Sequence, residues 1–267
     1  MLETGITLAQ RYEIRKQLGE GANSHVYLVY DRIDGRNRAL KEIEKSSDSR
    51  LHVFARREAE IVRGLKYPYF PEIFAILEME ESDFLVMEYL QGETAGERLR
   101  RLGPRSEEEV LRWGKDLCLM LSYLHESVPP MIYCDMKPDN IMIQPEGNLR
   151  LIDFGAVQVC EDAQEFPFML GTRGYAAPEQ LELCDVLDAR ADIYALGVTM
   201  YQLLTGVDPG KVDVSAITVH AMRRTMPRRL ARIIRKCTEK ERERRYSSCE
   251  ELREELDRVF SNDGNRK

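Results

Sequence analysis

Gly19-Glu20-Gly21-Ala22-Asn23-Ser24-His25-Val26 runs as G-x-G-x-x-S-x-V. Glycine lets main-chain N–H groups approach a phosphate that any Cβ would crowd. Taken alone, the pattern is also an ordinary hairpin turn. It gains weight from Lys41, which lies behind Ala39 on a later strand-like run. A lone strand lysine is normally a solvated charge. Here the carboxylate of Glu58 follows on a helical stretch, where it can pair with Lys41 and aim the ammonium at phosphates. Downstream stand Tyr133-Cys134-Asp135-Met136-Lys137-Pro138-Asp139-Asn140, then Asp153-Phe154-Gly155, then Ala177-Pro178-Glu179. Any one of these carboxylates could cap a helix or face solvent. Their joint order is the unusual feature.

The elements that must hold these residues change character near residue 90. Before it, Tyr12-Glu13-Ile14, Val26 to Tyr30, Arg38 to Ile43 and Phe84 to Met87 read as strands, with Asp34-Gly35 as a hairpin signal. Phe54, Ile61 and Leu65 share helix-compatible spacing, and Pro68 and Pro71 stop that helix. After residue 90, helices dominate. Ser106 to Glu109 has the pattern of a reciprocal cap, with Glu109 reaching back to the Ser106 N–H. Val110, Trp113, Leu117, Leu121 and Leu124 then mark one apolar face. Ile193 to Leu204 is apolar all round and predicts a buried helix, and Leu252, Leu256 and Val259 mark a last one. Strands followed by helices predict an α+β fold in two segregated lobes.

Composition narrows the function classes. The chain has 267 residues, 43% of them hydrophobic and 32% charged, which excludes a disordered or fibrous chain. No apolar run approaches the ~18 residues of a membrane helix, and Leu2-Glu3-Thr4-Gly5 does not resemble a signal peptide. Six cysteines without C-x-x-C spacing, together with four histidines, argue for a reducing cytosol and against zinc. The net charge of −7 is unevenly spread. Eleven Lys/Arg and three acids fall between Arg223 and Arg245, so that segment carries +8 and the rest of the chain −15. No aromatic interleaving or fold motif accompanies those charges, so nucleic acid is not expected as a partner. The segment reads as a solvated face, with docking of an acidic partner as the alternative.

With Gly19, Lys41 and the three downstream motifs taken together, the sequence resembles the protein kinase family from about residue 11 to 260. The resemblance implies the bilobal kinase fold. Its N-lobe over 1–87 is an antiparallel sheet plus one helix, followed by a hinge at 88–92, a mainly helical C-lobe over 93–260, and a tail or linker at 261–267. It also implies ATP and Mg²⁺, with Mn²⁺ as an alternative metal. Gly19, Gly21 and Lys41 would hold phosphates, with Glu58 orienting Lys41. Val26, Ala39 and Met142 would enclose adenine, with Met87 behind it and the backbone of Glu88 to Leu90 bonding its edge. Asn140 and Asp153 would supply hard oxygen ligands to the metal. Asp135 would accept the substrate hydroxyl's proton, and Lys137 would meet the transferred phosphoryl group. Val62, Ile73, Tyr133 and Phe154 match the family's stacked apolar column. Asp192 matches its buried anchor of the catalytic loop, and Arg245 matches the partner of Glu179.

Lys137 and the Thr172 of Gly171-Thr172-Arg173-Gly174-Tyr175 resemble the serine/threonine class, and the wording through Gln180 is similar to bacterial eukaryotic-like kinases. The expected partners are therefore proteins bearing Ser or Thr. The expected location is the cytoplasm, as a free-standing domain or the cytoplasmic part of a longer membrane protein; a homodimer is left open. Loss of Lys41, Asp135, Asn140 or Asp153 would favour a pseudokinase scaffold instead, and all four are present. Two departures stand out. Cys134 replaces the arginine that, in many relatives, grips a phosphate on the activation segment. Residues 156–170 contain no Ser, Thr or Tyr to carry one. Both absences predict activity without phosphorylation between Asp153 and Gly171. Cys134 itself reads as a small apolar filler, with a redox pairing toward Cys160 as the alternative.

Overall fold

The computed structural model describes residues 2–20, 24–45, 68–160, 171–181, 187–216, 222, 224 and 226–264. Gly21, Glu58, Val62 and the expected helix around Phe54 to Leu65 lie outside these residues. The chain forms two compact units, Met1–Gly92 and Glu93–Lys267.

The first unit is an antiparallel sheet of β1 (Thr7–Leu8), β2 (Tyr12–Glu20), β3 (Ser24–Asp31), β4 (Arg36–Glu44), β5 (Ile73–Glu78) and β6 (Ser82–Glu88), in the order β1-β2-β3-β4-β6-β5. Side chains alternate across the sheet, so each rung of paired residues shares one face. Tyr27, Leu40 and Val86 form one rung and join Leu8, Tyr12, Ile14, Val29 and Phe84 in a buried core. The flanking rungs point to the opposite face: Val26 beside Lys41 beside Leu85, then Leu28 beside Ala39 beside Met87. Register alone therefore gathers four of the expected nucleotide-contacting residues onto one surface.

In the second unit helices dominate, consistent with the α+β expectation. Among the described residues they are α1 (Ala95–Leu102), α2 (Glu107–His125), α3 (Pro178–Leu181), α4 (Arg190–Thr205), α5 (Arg228–Cys237) and α6 (Cys249–Gly264). All five marked positions of α2 are buried, as are Leu252, Leu256 and Val259 of α6. The interior of α4 from Ile193 to Leu204 is buried almost throughout. Short strands frame the loops that matter: β7 (Glu93–Thr94), β9 (Ile141–Ile143) and β10 (Leu149–Leu151) form one small sheet, and β8 (Met131–Ile132) pairs with β11 (Gln158–Val159).

The reciprocal cap expected at Ser106 is found instead at Thr94. Ser106 does accept from the Glu109 N–H at 3.2 Å, but the Glu109 carboxylate turns to Arg105 and Arg98. At α1 both halves form: Glu97 N donates to Thr94 Oγ1 at 3.0 Å, and Thr94 N to Glu97 Oε2 at 2.7 Å. Two guanidinium groups near Glu109 outbid one backbone N–H.

Candidate active site

Residues 133–140 run as a loop from β8 to β9, and α4 supports it from inside the second unit. Asp192, fully buried in the first turn of α4, accepts from Tyr133 N and Cys134 N, each at 2.8 Å. Two helical turns later, Thr199 Oγ1 donates to Met136 O at 3.1 Å. These bonds hold Cys134 at φ 64, an uncommon backbone region for a residue with a Cβ.

His125, at the end of α2, completes the anchor, with Nε2 2.8 Å from Asp192 Oδ2. Burial works against its charge, but hydrogen bonds with Asp192 and Cys249 outweigh that and raise its pKa from 6.5 to about 10. The ring is therefore an imidazolium donating to the aspartate. Nothing in the sequence singled out His125. A histidine adjoining a buried helical face more often fills space, and its partner lies 67 residues away.

Above this floor sits Asp135, largely buried, with both carboxylate oxygens engaged. Thr172 Oγ1 donates to Oδ1 at 2.6 Å, while Lys137 Nζ and Asn140 Nδ2 reach Oδ2 at 2.8 and 2.9 Å. Asn140 Nδ2 also lies 2.9 Å from Asp135 O, and Lys137 Nζ lies 2.7 Å from Thr172 Oγ1. Thr172 is held in place by its neighbours. Gly171, at φ 89, packs where a Cβ would come within 2.5 Å of Cys134 O. Gln180 Nε2 donates to that same carbonyl at 2.9 Å, while its Oε1 accepts from Ala177 N. Gln180 thereby ties α3 to the loop at 133–140, a role that reading the sequence did not assign. Below it, buried Arg245 meets Glu179 in a two-pronged pair, with Nη2 to Oε2 at 2.8 Å, and donates to three further carbonyls.

Asp153 follows β10 at φ 91, exposed, and its Oδ1 accepts from Gly155 N at 3.2 Å. Phe154 is buried and stands edge-on to Tyr133, with ring centroids 5.6 Å apart. With Nδ2 of Asn140 committed to Asp135, its Oδ1 is left as an acceptor with no partner among the described residues. That carbonyl and the Asp153 carboxylate are hard oxygen donors suited to Mg²⁺. Met142 lies on β9, opposite Thr94 and Arg150.

In the first unit, Lys41 is buried in its rung with Val26. Gly19 lies at a bulge in β2, and a Cβ there would meet nothing within 4 Å. Its lack of a side chain therefore serves no packing among the described residues, and the space suits a ligand approaching the backbone. Glu88 N is used within the sheet, donating to Glu72 O at 2.8 Å. Leu90, two residues on, makes no hydrogen bond among the described residues.

The Cys134 side chain is buried. Burial pushes its thiol well above the ordinary range, and Asp192 and Asp135 push it further. Cys160 is exposed, with its thiol also raised, mainly by desolvation. A thiol kept protonated is a poor nucleophile, which favours the filler reading of Cys134 over the redox one.

A family profile described as "Protein kinase domain" matches residues 12–265. The serine/threonine-protein kinase PknB of Mycobacterium leprae is 31% identical over 274 residues, covering 95% of this chain and 44% of the relative. For PrkC of Bacillus subtilis the identity is 29%, with 97% and 42% covered, and for PknB of Mycolicibacterium smegmatis it is 30%, with 94% and 43%. The chain thus spans less than half the length of these curated relatives.

Proposed function

The chain belongs to the protein kinase domain family, and from that premise we propose that it transfers the γ-phosphoryl group of Mg-ATP to Ser or Thr hydroxyls of proteins. The observation that carries this reading is the Thr172 hydroxyl, which donates to Asp135 Oδ1 at 2.6 Å and accepts from Lys137 Nζ at 2.7 Å. An aliphatic hydroxyl is thus held by the side chains proposed to hold a substrate's hydroxyl. In the reaction the substrate Oγ attacks the γ-phosphorus, its proton passes to Asp135, and the bond to the leaving β-phosphate oxygen breaks. Lys137 offsets the charge on the transferred group, and Lys41 holds the α- and β-phosphates. Asn140 and Asp153 would hold Mg²⁺, which neutralises charge on the phosphates when bound.

Activity is further proposed not to need phosphate between Asp153 and Gly171. In support, Gln180 Nε2 donates to Cys134 O, the Asp192 carboxylate accepts from Cys134 N, and Thr172 donates directly to Asp135. The location is read as cytoplasmic; no helix among the described residues is long and apolar enough to cross a membrane.

The test is phosphate transfer from Mg-ATP to Ser-, Thr- and Tyr-containing peptides by wild type and Asp135→Asn. Transfer to Ser and Thr peptides, reduced about 10²-fold or more in the variant, is expected. Equal rates in both proteins would refute the role of Asp135.

A further inference from the structure

Two helices of the second unit are rich in arginine, three on α1 and four on α5, and they use them differently. On α1, Arg98 and Arg101 bond Glu93, and Arg100 bonds Asp139 at 2.8 Å. On α5, Arg228, Arg229 and Arg232 are all exposed, and none has an ion pair or hydrogen bond among the described residues. Exposed Arg224, just ahead of the helix, has none either. Other described residues of the basic segment are paired within the chain. Arg235 meets Glu239, Lys236 meets Glu251, Lys240 meets Asp213, Arg242 meets Asp188 and Glu243, and Arg244 meets Glu241.

Their placement also disfavours the helix they stand on. Arg228 and Arg229 occupy the first turn, where the partial positive charge of the backbone favours acids, and the preceding Pro227 supplies no side-chain cap. Leu230, Ala231, Ile233, Ile234 and Cys237 bury the other face. The arginines therefore gain no side-chain partner among the described residues, and Arg228 and Arg229 oppose their own helix dipole.

We propose that the exposed face of α5 docks a short Asp/Glu-rich segment of a protein partner. Guanidinium forks spaced one turn apart match carboxylates spaced along such a segment, and Arg binds them two-pronged as Lys cannot. The remainder of the chain, at −15, repels an extended anionic surface such as a bilayer or nucleic acid. A short peptide feels mainly the local field, because screening sets in within about 10 Å. No large exposed hydrophobic side chain lies on α5 to enter lipid or stack on bases.

The proposal stands apart from phosphate transfer, so its binding test uses no nucleotide. Fluorescence anisotropy of a labelled oligoglutamate peptide is measured at low salt with the whole chain and with R228E/R229E/R232E. The wild type binds, added salt weakens binding, and the variant loses about tenfold or more. The variant melts no lower than wild type, because glutamates in the first turn suit the dipole. The single substitution R232E moves binding in the same direction, and transfer to an uncharged peptide substrate is unchanged in both. Equal binding by wild type and variants would overturn the proposal. So would tighter wild-type binding to an oligonucleotide or to phosphatidylserine vesicles than to oligoglutamate.

Discussion

Asp192 and Asp135 are both largely or wholly buried carboxylates of the second unit with every oxygen engaged, yet their partners differ in kind. Two of the donors to Asp192 are main-chain N–H groups and the third is a buried imidazolium. None can leave without unfolding something. Asp135 is held by the tips of Lys137, Thr172 and Asn140, side chains that can be exchanged for a substrate hydroxyl or share their bonds with it. The first arrangement fixes backbone; the second, on the proposed reading of Asp135 as the base, leaves contacts that a substrate can share while Asp192 holds the loop.

Mutations should separate the two roles. Asp192→Ala is expected to have the largest effect, because it strands two N–H groups and a buried imidazolium. Urea unfolding should show a loss of about 3–5 kcal/mol, and activity should fall with it. Asp135→Asn should do the reverse, reducing kcat about 10²-fold or more while the unfolding midpoint barely moves. A large stability loss in that variant would erase the distinction. Thr172→Val removes the hydroxyl bridging Lys137 and Asp135. About a tenfold fall in kcat is expected, consistent with losing hydrogen bonds to charged groups.

The same anchor is also read by pH. The folded-state pKa of His125, about 10, lies above its ordinary 6.5. Its contribution to stability is therefore complete below about pH 6.5 and is lost as pH rises toward 10. The stability gap between wild type and His125→Gln should narrow over that window. A gap that stayed constant between pH 6.5 and 10 would mean the ring is neutral when folded.

Much of this division was legible in the residues. The buried faces of α2, α4 and α6 followed from helical spacing, whereas Val26, Ala39, Lys41 and Met87 were grouped only by the resemblance, and strand register puts them on one side of the sheet. Asp192 and the Arg245–Glu179 pair followed from resemblance. The short strands β7 to β11 did not, since two or three residues are too few for alternation to register. The cap at Ser106 was misjudged because sequence shows which carboxylate can reach back, and only folding decides that Arg98 and Arg105 compete for it. His125 and Gln180 were missed because each works on a residue far along the chain; His125 stands in no motif, and the motif that ends at Gln180 does not say what its side chain holds.

The central claim is that this loop is ready for catalysis as folded. The direct measurement is the initial rate of transfer from Mg-ATP to a Ser peptide by phosphatase-treated enzyme whose intact mass is that of the bare chain. Full activity without a lag, with no phosphate later mapped between Asp153 and Gly171, is the predicted result. An inactive or lagging enzyme, restored as phosphate accumulates on that segment, would contradict it.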